Sequence, residues 1–249
     1  MSLENKIIDW IKSYTWSNNM LTLVVGVSGG IDSAVVSTLC AKTNIKTIVV
    51  SLPINQNKEQ LSRANNHIDW LKSNFKNVSS IEISLDNTFE ELKKLFNSSS
   101  DLSLANSKSR LRMVVLYHVA SNNKGLVVGT GNKIEDFGIG FFTKYGDGGV
   151  DISPIADLTK SEVKKMAINL KINEEIILAK PTDGLWNDER TDEDQIGATY
   201  DELEKIMNFL DSGKNANELT GRDFEVFNIY KKFNDSNKHK MIQIPIFKK

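Results

Sequence analysis

Hydrophobic positions along the chain recur with two periods. Leu3, Ile7, Trp10, Ile11 and Tyr14 stand at helical spacing and predict an amphipathic helix over 2–15. An apolar, β-branched run over 21–27 predicts a strand. Ile31, Ala34, Val35 and Leu39 then restore the helical period over 31–43. The alternation continues with a strand over 46–52 closed by Pro53, a helix over 57–74, and a strand over 79–85 in which Ile81 and Ile83 face polar neighbours. A short helix over 86–96, the loop 97–100, a long helix to about 122 capped by Asp101 and a strand over 125–130 follow. Beyond a glycine-rich bend come a short strand over 150–153, a helix over 159–170, a small helix near 173–179, the polar stretch 182–197, and helices over 199–211 and 218–233. Strands alternating with helices predict an α/β fold: a doubly wound parallel sheet, here of five strands, with helices on both faces. No internal repeat or interdomain linker interrupts the pattern, so residues 1–249 are expected to form a single domain.

Composition narrows the classes. Of 249 residues, 40% are hydrophobic and 25% charged, and the net charge is −1, so no global field draws the chain to nucleic acid or membrane. No apolar run approaches the roughly 18 residues that a membrane-spanning helix needs. The charged, helix-periodic start is unlike a secretory signal. Cys40 is the one cysteine. It falls on the 31–43 helix and reads as a buried thiol, and with no disulfide possible within the chain a reducing, cytoplasmic setting is expected. His67 reads as a partly exposed helix residue rather than a ligand.

The stretch from Leu21 to Ser33 carries the first chemical signal. A strand that enters a helix through glycines presents bare backbone N–H groups at a helix N-terminus, which favours an anion, phosphate above all. A dinucleotide fingerprint opened by Gly26 would require glycine where Ser28 and Ile31 stand. A Walker loop would require glycine and lysine where Ile31 and Asp32 stand. What remains, Ser28-Gly29-Gly30-Ile31-Asp32-Ser33, resembles the SGGxDS signature of the ATP pyrophosphatases, the PP-loop enzymes that cleave ATP to AMP and pyrophosphate. The resemblance implies a strand order of 3-2-1-4-5, with the loops after strands 1 and 4 facing one crevice. It also implies ATP binding by Gly26, Val27, Ser28, Gly29, Gly30, Ile31, Asp32 and Ser33. Asp32 and Glu135 would share a Mg²⁺ ion, which takes one or two carboxylates and completes its shell with water and phosphate oxygens. Asp136, beside Glu135, competes for the second position.

A second stretch separates the possible reactions. Gly129-Thr130-Gly131-Asn132-Lys133-Ile134-Glu135, followed by 140–149 (GFFTKYGDGG), is similar to the signature of the ammonia-dependent NAD synthetase family. The similarity continues through 151–155, 158–160, 180–182 and 238–240, nearly the whole chain. It implies amidation of deamido-NAD by ammonia, with ATP consumed to AMP and pyrophosphate through an acyl adenylate. Position by position, Thr130, Lys160 and Thr182 match ATP contacts, with Lys160 on the α-phosphate. Arg110, Lys144, Asp151, His239 and Lys240 match deamido-NAD positions. Asp147, in the Gly-Asp-Gly-Gly bend, is either the candidate for binding and deprotonating ammonium or a plain turn residue. The family members of this kind are homodimers. One departure stands out: Gly140 follows Thr130 by ten positions, and some members have one fewer.

The helix over 101–121 is nearly apolar all round from Leu111 to Ala120, which predicts burial on most sides, either against a second copy or in a monomeric core. The acidic stretch 183–197 reads as a surface loop or as a lid over ATP. A tRNA-thiolating enzyme fits poorly with one cysteine and a net charge of −1. GMP synthesis would need an amidotransferase partner and a different pocket after the fourth strand. A nucleotide-binding regulatory module would have no use for Asp32, Glu135 and Lys160. Only residues 1–20 precede the first strand, so the glutaminase-like domain of glutamine-dependent forms is not expected.

Overall fold

The computed structural model describes residues 1–186 and 190–249. Strands β1 (Thr22–Gly26), β2 (Lys46–Ser51), β3 (Val78–Glu82) and β4 (Gly125–Val128) pair in parallel in the order β3-β2-β1-β4. Side chains alternate across this sheet. Leu23 and Val25 of β1 and Leu126 and Val128 of β4 enter a core with α1 (Leu3–Ser17), α2 (Ile31–Lys42) and α6 (Lys160–Asn169). Val24, Ile48, Val50 and Val127 point the other way, onto α4 (Asp86–Lys94) and α5 (Asp101–Asn122). α3 (Lys58–Asn74) packs Ala64, Ile68 and Leu71 against Val27 and Val49. Both faces of the inner strands are covered, which is why β1 and β2 read as continuous apolar runs rather than alternating ones.

The expected fifth strand is reduced to one parallel bridge, Val128 to Ile152. The Gly129 N–H to Ile152 carbonyl bond, at 2.8 Å, is what remains of the ladder. Two groups explain why it goes no further. The Asp151 carboxylate takes the Val127 N–H at 2.7 Å, where a strand partner's carbonyl would sit. Pro154 then offers no N–H to carry the ladder on. Asp151 therefore mimics a strand edge with its side chain, and the order 3-2-1-4-5 becomes 3-2-1-4.

Within one chain α5 is buried along one side, through Ala105, Met113, Leu116 and Val119, and Leu102 and Val114 are 61% and 65% exposed. Two further expectations are corrected. His67 is 2% exposed, bonded to Ser37 Oγ at 3.0 Å and stacked on Trp70. The last helix, α10, runs Gly221–Met241 rather than stopping near 233. Its polar end is held by tertiary bonds: Asn234 and Asn237 donate to the carbonyls of Gly138 and Ile139.

α7 (Glu174–Ile177), α8 (Asp192–Ile196) and α9 (Tyr200–Asp211) follow α6, and α8 and α9 both open with capping boxes, at Thr191 and Thr199. α9, α10 and the π-helical turn Ile134–Ile139 share a separate small core that includes Leu203, Ile206, Ile134 and Ile139. That core places the carboxyl-terminal third of the chain against the loop after β4.

Candidate active site

The glycine turn follows β1 directly. Gly30 is the N-cap of α2 and makes no side-chain capping bond, so the first-turn N–H groups stay open to a ligand. The serine hydroxyls stay within the loop: Ser28 Oγ lies 3.2 Å from Ser33 Oγ, and Ser33 Oγ donates to the Gly30 carbonyl at 2.9 Å. Gly29 is required twice over. Its φ of +85° suits glycine, and a Cβ there would lie 2.4 Å from the Gln60 carbonyl oxygen.

Lys160, the first residue of α6, reaches between the two expected acids. Its Nζ donates to Asp32 Oδ2 at 2.6 Å and to Glu135 Oε1 at 3.2 Å. The loops after β1 and β4 thus converge on one cation, as the topology of a sheet reversing at those strands requires. Burial lowers the Lys160 pKa, but Asp32 and Glu135 outweigh it and hold the ammonium well above the ordinary lysine value. Asp32 is raised by burial, against the pull of Lys160. Asn132, fully buried, donates to Asp32 and accepts from the Glu135 N–H. Two hard carboxylates close enough to share one ammonium are a donor set that fits Mg²⁺.

Asp136 faces the same space. A Cβ on Gly131 would fall 2.2 Å from its Oδ1, so only glycine leaves it room. Burial, then Glu135, Asp147 and Asp32, push Asp136 up to about 8. Asp147 accepts from Ser109 Oγ at 2.6 Å and from Thr143 N–H at 3.1 Å. Burial raises its pKa, while those donors oppose the rise.

The opposite wall comes from distant sequence. Tyr200 is 3% exposed, its hydroxyl donates to Glu135 Oε1 at 2.6 Å, and its ring lies 4.6 Å from Lys160 Nζ. Asp192 Oδ2 stands 3.3 Å from the same hydroxyl. Burial, then Glu135 and Asp183, push Asp192 up to about 7. Lys240 Nζ donates to the Phe142 carbonyl at 2.6 Å, and Lys144 Nζ donates to the His239 carbonyl at 2.9 Å. Lys108, 3% exposed, donates to the Leu185 carbonyl at 2.9 Å and ties α5 to the 182–186 segment. Of the acidic stretch 183–197, residues 187–189 lie outside the described part.

These walls enclose a cavity of about 1220 Å³. That exceeds the roughly 300–1,000 Å³ usual for a single small ligand and suits more than one nucleotide. Residues 26–33, Thr130, Glu135, Lys160 and Thr182 line it, as do Arg110, Lys144, Asp147, His239 and Lys240. Asp151 does not: it is exposed, and its carboxylate is occupied by Tyr117 OH and Val127 N–H. Tyr200, Asp192, Asn132, Arg112 and Arg63 line or support the site without having been singled out from the sequence. Asn132, inside the 129–135 run, and Asp192, inside the acidic stretch 183–197, lay within signals that could have flagged them.

The fold and site define an α/β protein whose cavity lies at the carboxyl ends of its parallel strands, beside a glycine turn with open backbone N–H groups. The chain belongs to the NAD synthase family, which matches residues 3–244. It is 39% identical over 220 residues to the NH3-dependent NAD+ synthetase of Carboxydothermus hydrogenoformans, covering 86% of each chain. Among solved structures it is similar to an NMN synthetase from Francisella tularensis, with a TM-score of 0.84, 32% identity and 98% of both chains covered. It is also similar to an NH3-dependent NAD synthetase from Campylobacter jejuni, with a TM-score of 0.81, 26% identity and 99% and 98% covered.

Proposed function

We propose that the protein is an ATP-consuming ligase that converts deamido-NAD and ammonia to NAD, with AMP and pyrophosphate as the other products. The observation that carries this reading is the Lys160 ammonium shared by Asp32 and Glu135 beside the glycine turn. A nicotinate carboxylate resists ammonia because attack would have to expel oxide. The substrate carboxylate instead attacks the α-phosphorus of ATP, the bond to the β-phosphate breaks, and pyrophosphate leaves. Ammonia then adds to the acyl carbon, and AMP departs with the electron pair of the C–O bond.

Each wall has a part in this. The N–H groups and hydroxyls of 26–33 bind and orient the phosphates, and Thr130 and Thr182 contact the nucleotide. Lys160 stabilises the charge that grows on the α-phosphate oxygens. Asp32 and Glu135 would hold Mg²⁺, which would neutralise the charge of the pyrophosphate; Asp136, pushed up to about 8, stays mostly protonated until a cation lies beside it. Asp147, facing the cavity, takes ammonium and accepts its proton. Arg110, Lys144, His239 and Lys240 bind the dinucleotide.

Arg110 and Asp151 lie on the outer side of the site, and α5 carries the exposed Val114 between them in sequence. This favours a homodimer in which the dinucleotide site is completed across two copies of α5, with Asp151 reaching substrate from that edge. A cytoplasmic setting suits its substrates and the buried free Cys40. No helix among the described residues is long and apolar enough to cross a membrane.

Purified protein given ATP, Mg²⁺, ammonium and deamido-NAD should release pyrophosphate and form NAD in equal amounts; omission of any one should stop turnover, with the omission of ammonium leaving at most a single release of pyrophosphate per site. Pyrophosphate release without deamido-NAD would overturn the reading. A second reading, amidation of the mononucleotide nicotinate ribotide to NMN, is favoured by the likeness to the Francisella NMN synthetase over 98% of both chains. Comparing kcat/KM for the two acids decides between them.

A further inference from the structure

Arg63 on α3 carries a donor that the protein leaves unanswered. Its Nε is shielded from solvent and meets no hydrogen-bond partner among the described residues. Buried donors are almost always paired, so an orphaned one calls for a partner that the chain does not supply. The other two arginines of the cavity are tethered: Arg110 Nε donates to the Lys144 carbonyl at 3.2 Å and Arg112 Nε to the Leu52 carbonyl at 3.0 Å. Arg63 also lines the cavity and forms no ion pair with any described carboxylate.

Its place in the fold says which ligand would answer it. α3 is the helix that rests on the glycine turn: a Cβ at Gly29 would come within 2.4 Å of the Gln60 carbonyl oxygen and 3.0 Å of the Ala64 nitrogen. Residues 60 and 64 stack one turn apart, and Arg63 belongs to the same side of the helix. Gln56, just before α3, donates to the Ser28 carbonyl at 3.1 Å. Lys160 approaches the turn from the β4 side, through Asp32 and Glu135, whereas Arg63 approaches from the β2 side. The phosphate chain of ATP, with its α-phosphate at Lys160, would cross Gly29 and end at α3. A planar guanidinium suits a phosphate there.

We infer that Arg63 binds the terminal phosphates of ATP and retains them as the departing pyrophosphate. The inference rests on the reading of the glycine turn as the ATP phosphate site. The bond to the α-phosphorus breaks as described above, and Arg63 stabilises the negative charge left on the leaving group without exchanging a proton.

The test measures Mg²⁺–pyrophosphate binding to the intact protein by calorimetry, with AMP and deamido-NAD as parallel ligands. Arg63→Met is expected to weaken pyrophosphate binding by about 30-fold, as loss of a hydrogen bond to a charged group would. The KM for ATP should rise alongside, with AMP and deamido-NAD affinities within about twofold of the parent protein. Arg63→Lys keeps the charge but loses the fork, and should fall between the two. If Arg63→Met does not fold by its melting curve, Arg63→Lys decides alone, and an unchanged pyrophosphate affinity overturns the inference. Loss confined to deamido-NAD also overturns it, placing Arg63 on the dinucleotide. Failure of the unaltered protein to bind pyrophosphate would instead overturn the reading of the glycine turn itself.

Discussion

One wall of the cavity, the turn after β1, is made of backbone, and its internal bonds join residues no more than five apart, as between Ser28 and Ser33. The facing wall is made of buried charged and phenolic side chains. Lys160 meets Asp32 across 128 residues, Tyr200 meets Glu135 across 65, and Lys240 meets Phe142 across 98. The first wall takes its shape wherever a strand, two glycines and a helix follow in that order. The second exists only when the whole fold is assembled. The geometry of the turn is therefore a local property of this chain, and the arrangement of its charged groups a global one.

The sharpest way to break that contrast is Lys160→Met. It leaves the backbone wall intact and should lower kcat by about 10³-fold, measured as pyrophosphate release, with ATP binding retained. Retention of a tenth of the activity would move the chemistry off the long-range wall. Next in size is a pH effect behind the local wall. His67, bonded to Ser37 of α2, is held down to about 4 by burial, from an ordinary 6.5. The unfolded chain therefore takes up that proton at higher pH than the native one. Stability from this group is complete above pH 6.5 and falls as pH drops toward 4, by on the order of 3 kcal/mol. Denaturant midpoints at pH 7 and pH 4.5 should show the loss, and His67→Gln should flatten it.

Gly29→Ala attacks the local wall itself. The φ of +85° and the 2.4 Å approach to Gln60 should cost about 2 kcal/mol of stability and weaken ATP more than deamido-NAD. Melting curves with and without ATP separate the two effects. The smallest expected change comes from Tyr200→Phe, which keeps the ring over Lys160 and deletes the hydroxyl's bonds to Glu135 and Asp192. The Mg²⁺ concentration for half-maximal rate should rise about tenfold, and calorimetric Mn²⁺ binding should weaken in step, with the melting temperature nearly unchanged. A fall in melting temperature with unaltered metal affinity would reduce Tyr200 to a packing residue.

The same division explains what could be read from the sequence. β1, α2 and the glycine turn were readable because their periodicity and turn chemistry lie within a dozen residues. The acid pair and Lys160 needed the family likeness to be joined, since nothing local links position 32 to 135 or 160. The missing fifth strand turned on one carboxylate, Asp151, taking a bond that backbone normally makes. His67 was misread because α3 is mostly polar, and only the packing of α2 against it reveals a buried face. Tyr200 carried no signal, since it begins an ordinary amphipathic helix; Asp192 lies in the acidic stretch read as a loop or a lid, where nothing local separates it from its acidic neighbours.

The π-helical turn at 134–139 has a consequence for how this chain tolerates changes in length. Gly140 N–H closes back onto the Glu135 carbonyl, and Phe141 N–H reaches the same oxygen at 2.9 Å. The ring is one residue wider than an α-turn, so a π-turn of this kind takes in a residue sideways instead of lengthening the segment along its axis. A deletion within 134–139 is expected to narrow the ring to an α-turn at little cost, much as a sprung washer takes up slack between two bolted plates.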